Sequence, residues 1–231
     1  MRVSVFSVIL ALASMVAGVA SGQIIIVKPD GSGTYPTIQE AVNAALDGDT
    51  IILTDGEFRG DGNRDIVVPA REITIRSQTG DYMSCMIDCQ GSARDQHRGF
   101  WFTTSGGTES ATLQGVGIMN GYVLDGGGGI FVEGADVTID NCGVASCTVD
   151  NQYGKGGGLL VNNGGYVYVS YCAFAQNTAG RGGGVAIDGA WGTLDHCEIG
   201  DNVATDIGGG VYIHAAGTVQ VGFCDIISND A

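Results

Sequence analysis

Four glycine runs, Gly127–Gly129, Gly156–Gly158, Gly182–Gly184 and Gly208–Gly210, each end in an aliphatic residue: Ile130, Leu159, Val185 and Val211. They start 29, 26 and 26 residues apart (127, 156, 182, 208), and a cysteine follows each aliphatic by 12 or 13 residues: Cys142, Cys172, Cys197 and Cys224. Two marks held in one register at such a period define a solenoid, in which each repeat buries its apolar face by stacking on its neighbours. Because that core grows by stacking, the 231 residues are read as one domain rather than two. Forty glycines with three prolines and 44% hydrophobic residues agree. Without a Gly-X-Y period they exclude collagen and argue against disorder, leaving a turn-rich, well-buried β architecture.

Within each repeat one strand follows the glycines (Ile130–Val132, Leu159–Val161, Val185–Ile187, Val211–Ile213) and a second leads toward the cysteine (Val137–Ile139, Val167–Val169, Thr193–Leu194, Val219–Val221). A third lies beyond it, around Val144, Phe174, Ile199 and Ile226. Three strands per turn of ~26 residues, with parallel neighbours ~4.8 Å apart, predict a parallel β-helix. The longer first interval is assigned to a loop insertion at Thr148–Lys155. Upstream, short β-branched runs from Thr50 to Met119 read as strands, and Ile38, Ala41, Val42 and Ala45 fall on one face of a short helix. Thr37 and Glu40 form a capping-box pattern at its start. A single amphipathic helix ahead of a β-solenoid is expected to cap the first turn and its unpaired strand edges.

Residues 1–22 run from Arg2 through an apolar stretch to Ala20, Ser21 and Gly22, the pattern of a secretory signal peptide cleaved after Ala20 or Gly22. The domain is therefore read as 23–231, exported, and secreted or cell-surface, with no later stretch long and apolar enough to span a bilayer. With 10 basic against 25 acidic residues and a net charge of −15, the surface repels nucleic acid and anionic membranes and admits hard cations such as calcium. No capping segment follows the fourth repeat, so further coils, an anchor or another domain are expected beyond residue 231.

The repeat resembles the right-handed parallel β-helix proteins of the pectate-lyase-like superfamily, over residues 24–231. The opening Asp30-Gly31-Ser32-Gly33-Thr34-Tyr35-Pro36-Thr37-Ile38-Gln39-Glu40-Ala41-Val42, continued by Gly48-Asp49-Thr50-Ile51, is similar to the start of pectin methylesterases and many relatives, where it marks the capping helix. The later repeat is similar to the Gly-Gly-Ala-Ile and Phe-x-x-Asn repeats of polymorphic outer-membrane proteins. Phe174-Ala175-Gln176-Asn177 matches the second motif, Ile199–Asn202 and Ile226–Asn229 match with Ile for Phe, and Val144–Cys147 departs. The resemblance implies an extracellular or outer-membrane location and a polysaccharide or cell-surface partner.

Stacking turns a register into a column of side chains. Aligning the repeats places Glu133, Asn162, Asp188 and His214 in one column, Asp140, Ser170, Asp195 and Gly222 in a second, and Asn141, Tyr171, His196 and Phe223 in a third. A polysaccharide lyase holds calcium on acidic groups and abstracts a proton with Arg or Lys. Glu133, Asn162 and Asp188 are the candidate calcium ligands, with Asp188 and Arg181 as the candidate catalytic pair. For a two-carboxylate hydrolase Asp188 and Asp195 are candidates by count alone, and the paired-Asp and Gly-His-Gly signatures of polygalacturonases are missing. His97, His196 and His214 stand without a nucleophile motif. The in-register cysteines read as an inward ladder, with one or two bridges open to them and Cys85–Cys89 as the favoured local pair. Tyr153, Tyr166, Tyr168, Trp191 and Tyr212 are the aromatics available to stack on sugar rings. The leading expectation is a non-catalytic module presenting a rigid face to a glycan or surface partner, with a calcium-assisted lyase as the alternative.

Overall fold

A computed structural model describes residues 22–104 and 110–231; the signal-peptide assignment lies almost wholly outside them. Each turn of the chain lays down strands of two to five residues that pair in parallel with those of the turns before and after. The product is a parallel β-solenoid with four sheets along its axis. The long sheet has eight strands, from Ile24–Val27 to Val219–Gly222, and a seven-stranded sheet runs from Gly56–Phe58 to Asp225–Ile227. A six-stranded sheet runs from Ile66–Pro69 to Val211–His214. The fourth sheet, which three strands per turn did not anticipate, joins Tyr122–Val123, Thr148–Val149, Thr178–Arg181 and Val203–Ile207. Two-residue strands carry no readable alternation, so the sequence pattern assigns Thr148 and Val149 to a loop. They pair with Tyr122 and Val123, and Val149 packs with Val123 and Ala179 in a small core of its own.

The register is the one that the glycine alignment requires. Ile130 pairs with Leu159, Leu159 with Val185, and Val185 with Val211. Slipping any strand by one residue would turn its buried set outward. In each triplet the first glycine takes positive φ, 62° at Gly127 and 64° at Gly156, while the third meets the next turn directly. A Cβ on Gly158 would lie 2.7 Å from the carbonyl oxygen of Gly184 and 3.0 Å from the amide nitrogen of Asn177. A side chain there would force the turns apart.

Asn177 and Asn202 are fully buried. The Asn202 carboxamide oxygen accepts from the Asn177 backbone (2.9 Å) and side chain (3.1 Å), and its nitrogen donates to the Phe174 carbonyl (2.9 Å). Asn229 repeats the pattern beneath Asn202. The Phe-x-x-Asn motif is therefore an internal asparagine ladder beside an inward Phe or Ile. Cys147 occupies the Asn position one turn earlier and donates its N–H to Asn177.

The cysteine ladder is also present, as free thiols. The Cys172 sulfur accepts from the Cys142 backbone N–H (3.3 Å), and Cys224 accepts from Cys197 (3.4 Å). The expected Cys85–Cys89 pair is not formed. Cys85 opens the strand Cys85–Asp88, and four residues of extended chain span ~13 Å, beyond the reach of a disulfide. Burial pushes the Cys85 and Cys147 thiols up to about 12.

The helix Ile38–Ala44 covers the first turn as expected, burying Ile38, Ala41 and Val42. The Thr37 hydroxyl caps it by accepting from the Glu40 N–H, while the neighbouring orphan donors at Ile38 and Gln39 go to Asn63 and the Gly62 carbonyl. Gln39 also seals the first strand of the six-stranded sheet. Its carboxamide accepts from Val67 N–H (2.7 Å) and donates to Val67 C=O (3.1 Å), standing in for the missing strand.

Asn202→Ala should cost about 2–3 kcal/mol, because it strands the Asn177 donors and the Phe174 carbonyl inside the core; the urea midpoint of unfolding measures it. In native protein at pH 8 the buried thiols should resist alkylation and react together only on unfolding, as timed mass spectrometry would record.

Candidate functional site

Three of the five aromatics picked out in the sequence meet on the outer face of the long sheet. The strand Tyr166–Ser170 buries Val167 and Val169 and turns Tyr166 and Tyr168 outward, and Trp191–Asp195 does the same with Trp191. Register places Tyr166 beside Trp191, and Tyr168 between Thr138 and Thr193. Tyr166, Tyr168 and Trp191 remain 42%, 37% and 45% exposed, which is enough for ring contact with a ligand. The Tyr166 hydroxyl reaches Thr193 Oγ1 at 3.4 Å, and Gly217 makes room for the indole, since any Cβ there would run into it.

Beside this face runs a second aromatic row that the sequence aligned without giving it a role. Tyr171, His196 and Phe223 occupy the corner after the long sheet, with centroids 5.0 and 4.9 Å apart and planes within 24° and 23°. Each is in the left-handed region (φ 53°, 51° and 52°), as is Asn141 one turn earlier (49°). Such a conformation costs ~1 kcal/mol or more per residue. Backbone N–H bonds to the next turn offset it, from Tyr171 to Asp195 O (3.1 Å) and from His196 to Gly222 O (3.0 Å). What marks the row in the sequence is its place one residue before each laddered cysteine. Phe223 is 84% exposed and Tyr171 59%. Burial, followed by the charges of Asp195 and Asp140 and by its tyrosine neighbours Tyr171 and Tyr166, raises the Tyr168 hydroxyl above its ordinary value.

Tyr153 and Tyr212 do not join this surface. Tyr212 is buried with Phe131, Leu160 and Ala186 on the outside of the six-stranded sheet. The Arg181 guanidinium lies 5.3 Å from the Tyr153 ring and 6.0 Å from that of Tyr212.

Glu133, Asn162, Asp188 and His214 do form a column on that same sheet. Its carboxylates are engaged. Asp188 takes an ion pair from Lys155 on Oδ2 and the His214 ring nitrogen at 2.8 Å on Oδ1. Glu133 accepts from Trp101 Nε1 (3.1 Å) and Asn163 (3.0 Å). Asn162 Oδ1 is buried between them without a hydrogen-bond partner. A calcium ion at this column would have to displace Lys155 and His214 from Asp188, so the donor set does not fit an open calcium shell as it stands. Among the described residues no group of three His, Cys, Asp or Glu side chains is placed to hold a metal. Arg181 faces Asp206 at 2.7 Å, and that hydrogen bond holds its guanidinium further into the charged range.

The parallel solenoid defines the class, and comparison places the chain within it. Residues 84–231, well over half of the chain, match the family described as right handed beta helix region, and the chain belongs to that family. The crystal structure of pectate lyase Pel9A superposes with a TM-score of 0.50 at 17% identity, over 89% of this chain and 62% of that one. At this identity the likeness is one of fold, and the chain spans 62% of that lyase's length. No curated protein matches the chain.

Burial pushes the Asp188 carboxyl up, but the hydrogen bonds from Lys155 and His214 outweigh it and leave the group below its ordinary value. Its stabilisation is therefore present above the ordinary carboxylate range and is lost as pH falls through the lowered folded value. Asp188→Asn should melt below wild type at pH 7, and thermal melts should show the gap closing as pH drops toward 2.

Proposed function

We propose that this chain is an exported β-helix module that holds a glycan chain across the outer face of its long sheet, without chemistry of its own. The observation that carries the reading is the convergence of Tyr166, Tyr168 and Trp191 on one rigid sheet, flanked by the exposed row Tyr171, His196 and Phe223. A flat array of fixed aromatic rings offers sugar C–H faces apolar area at little conformational cost. An exposed aromatic patch of this kind, rimmed by polar groups, marks a binding surface. The acidic charge balance weighs against nucleic acid, and no described helix is long and apolar enough to cross a membrane. A secreted or cell-surface location goes with the amino-terminal leader pattern.

A second reading, a calcium-assisted polysaccharide lyase, has one observation on its side: the unpartnered Asn162 oxygen between Glu133 and Asp188. The two readings separate cleanly. Trp191→Ala or Tyr166→Ala should weaken polysaccharide retardation in affinity gels by about tenfold, the loss of a central aromatic anchor, while Asp188→Ala leaves it unchanged. Calcium-dependent unsaturated uronide from polygalacturonate that disappears in Asp188→Ala would instead establish the lyase.

A further inference from the structure

The aromatic face carries a charge pattern that selects among glycans. Outward positions interleaved with its rings include Asp136, Asp140 and Asp195, and from Thr112 to Phe223 no lysine or arginine projects from this sheet. Asp140 accepts from Gln114 (2.9 Å) and Ser170 (2.7 Å), and Asp195 pairs with the His196 ring at 3.0 Å. Among the described strands of this sheet the one lysine or arginine is Arg76, two strands from Asp140, and its guanidinium donates to the Ser77 carbonyl. Lys155, Arg181 and Arg98 lie away from this face and are paired with Asp188, Asp206 and Asp125.

Recognition of a polyuronate needs cationic donors for its carboxylates or a cation to bridge them. This face supplies carboxylates instead. A carboxylate accepts hydrogen bonds and donates none, so its partners on a sugar are hydroxyls. Fixed negative charges also act over about 10 Å at 0.1 M salt, which covers two strands on either side of each aspartate.

Resting on the glycan-binding reading above, we propose that the face is built for an uncharged glycan and rejects uronic-acid polymers. Neutral glycan hydroxyls meet Asp140 and Asp195 while the ring faces meet Tyr166, Tyr168 and Trp191.

The test is affinity electrophoresis of the mature protein in gels containing hydroxyethylcellulose, mixed-linkage β-glucan, galactan or arabinoxylan, against polygalacturonate and alginate, with chelator and then with calcium. Retardation by at least one neutral polymer, at least tenfold stronger than by either polyuronate and insensitive to salt, is expected. The variant Asp136→Asn/Asp140→Asn/Asp195→Asn should narrow that gap several-fold, and raising salt on wild-type protein should narrow it in the same direction without any mutation. Equal or stronger binding of a polyuronate, in either condition, overturns the charge selectivity and leaves glycan binding standing. Retardation by none of the six polymers overturns the glycan-binding reading itself.

Discussion

The fold hangs on the close, uniform contact between successive turns. Parallel strands must sit ~4.8 Å apart for their backbone bonds to form, and at the corner before the six-stranded sheet only glycine lets the main chain come that near. The triplets supply both requirements, a left-handed residue to open the corner and a bare backbone to receive the next turn's carbonyl. The asparagine ladder meets those glycines from inside, so one corner joins the backbone stacking to a buried polar network. A network of this kind stabilises only when every member is satisfied, as the described Asn177 and Asn202 are.

The same spacing turns sequence into surface. Any outward residue recurs every turn at one height on the sheet, so a column of Tyr166 and Trp191, or of Tyr171, His196 and Phe223, becomes a line of rings held by backbone alone. No loop has to order for such a face to bind, which keeps the entropic cost of association low. The opposite outcome appears on the six-stranded sheet. There the column of Phe131, Leu160, Ala186 and Tyr212 is buried, and arginines cover its flanks. The outer faces of the two sheets thus end in different states, one covered and one open.

Much of this was legible from periodicity. The glycine and cysteine beat defines the solenoid, Glu133, Asn162, Asp188 and His214 align in the structure as in the repeat, and the capping helix lies where the spacing of Ile38, Ala41 and Val42 puts it. What the sequence withheld has physical causes. Thr148–Val149 is too short to alternate, so the fourth sheet was hidden. Which aromatics share a face depends on which side of which sheet a residue takes. Tyr212 and Tyr166 looked alike in the sequence and lie on different sheets, one buried and one open. The ion pairs that occupy Asp188 join residues 33 and 26 positions apart, and spacing alone does not reveal that Lys155 reaches across a turn.

The chain has two tryptophans, and they sit on the two competing surfaces. Trp191 is on the aromatic face of the long sheet, and Trp101 is on the six-stranded sheet with its indole nitrogen bonded to Glu133. Titrating a bound polysaccharide into the single-tryptophan proteins Trp101→Phe and Trp191→Phe therefore reads each surface alone by fluorescence. With the glycan on the long sheet, Trp191 emission changes saturably and Trp101 stays silent. A response from Trp101 with Trp191 unmoved would contradict that placement and put the ligand on the Glu133–Asp188 column.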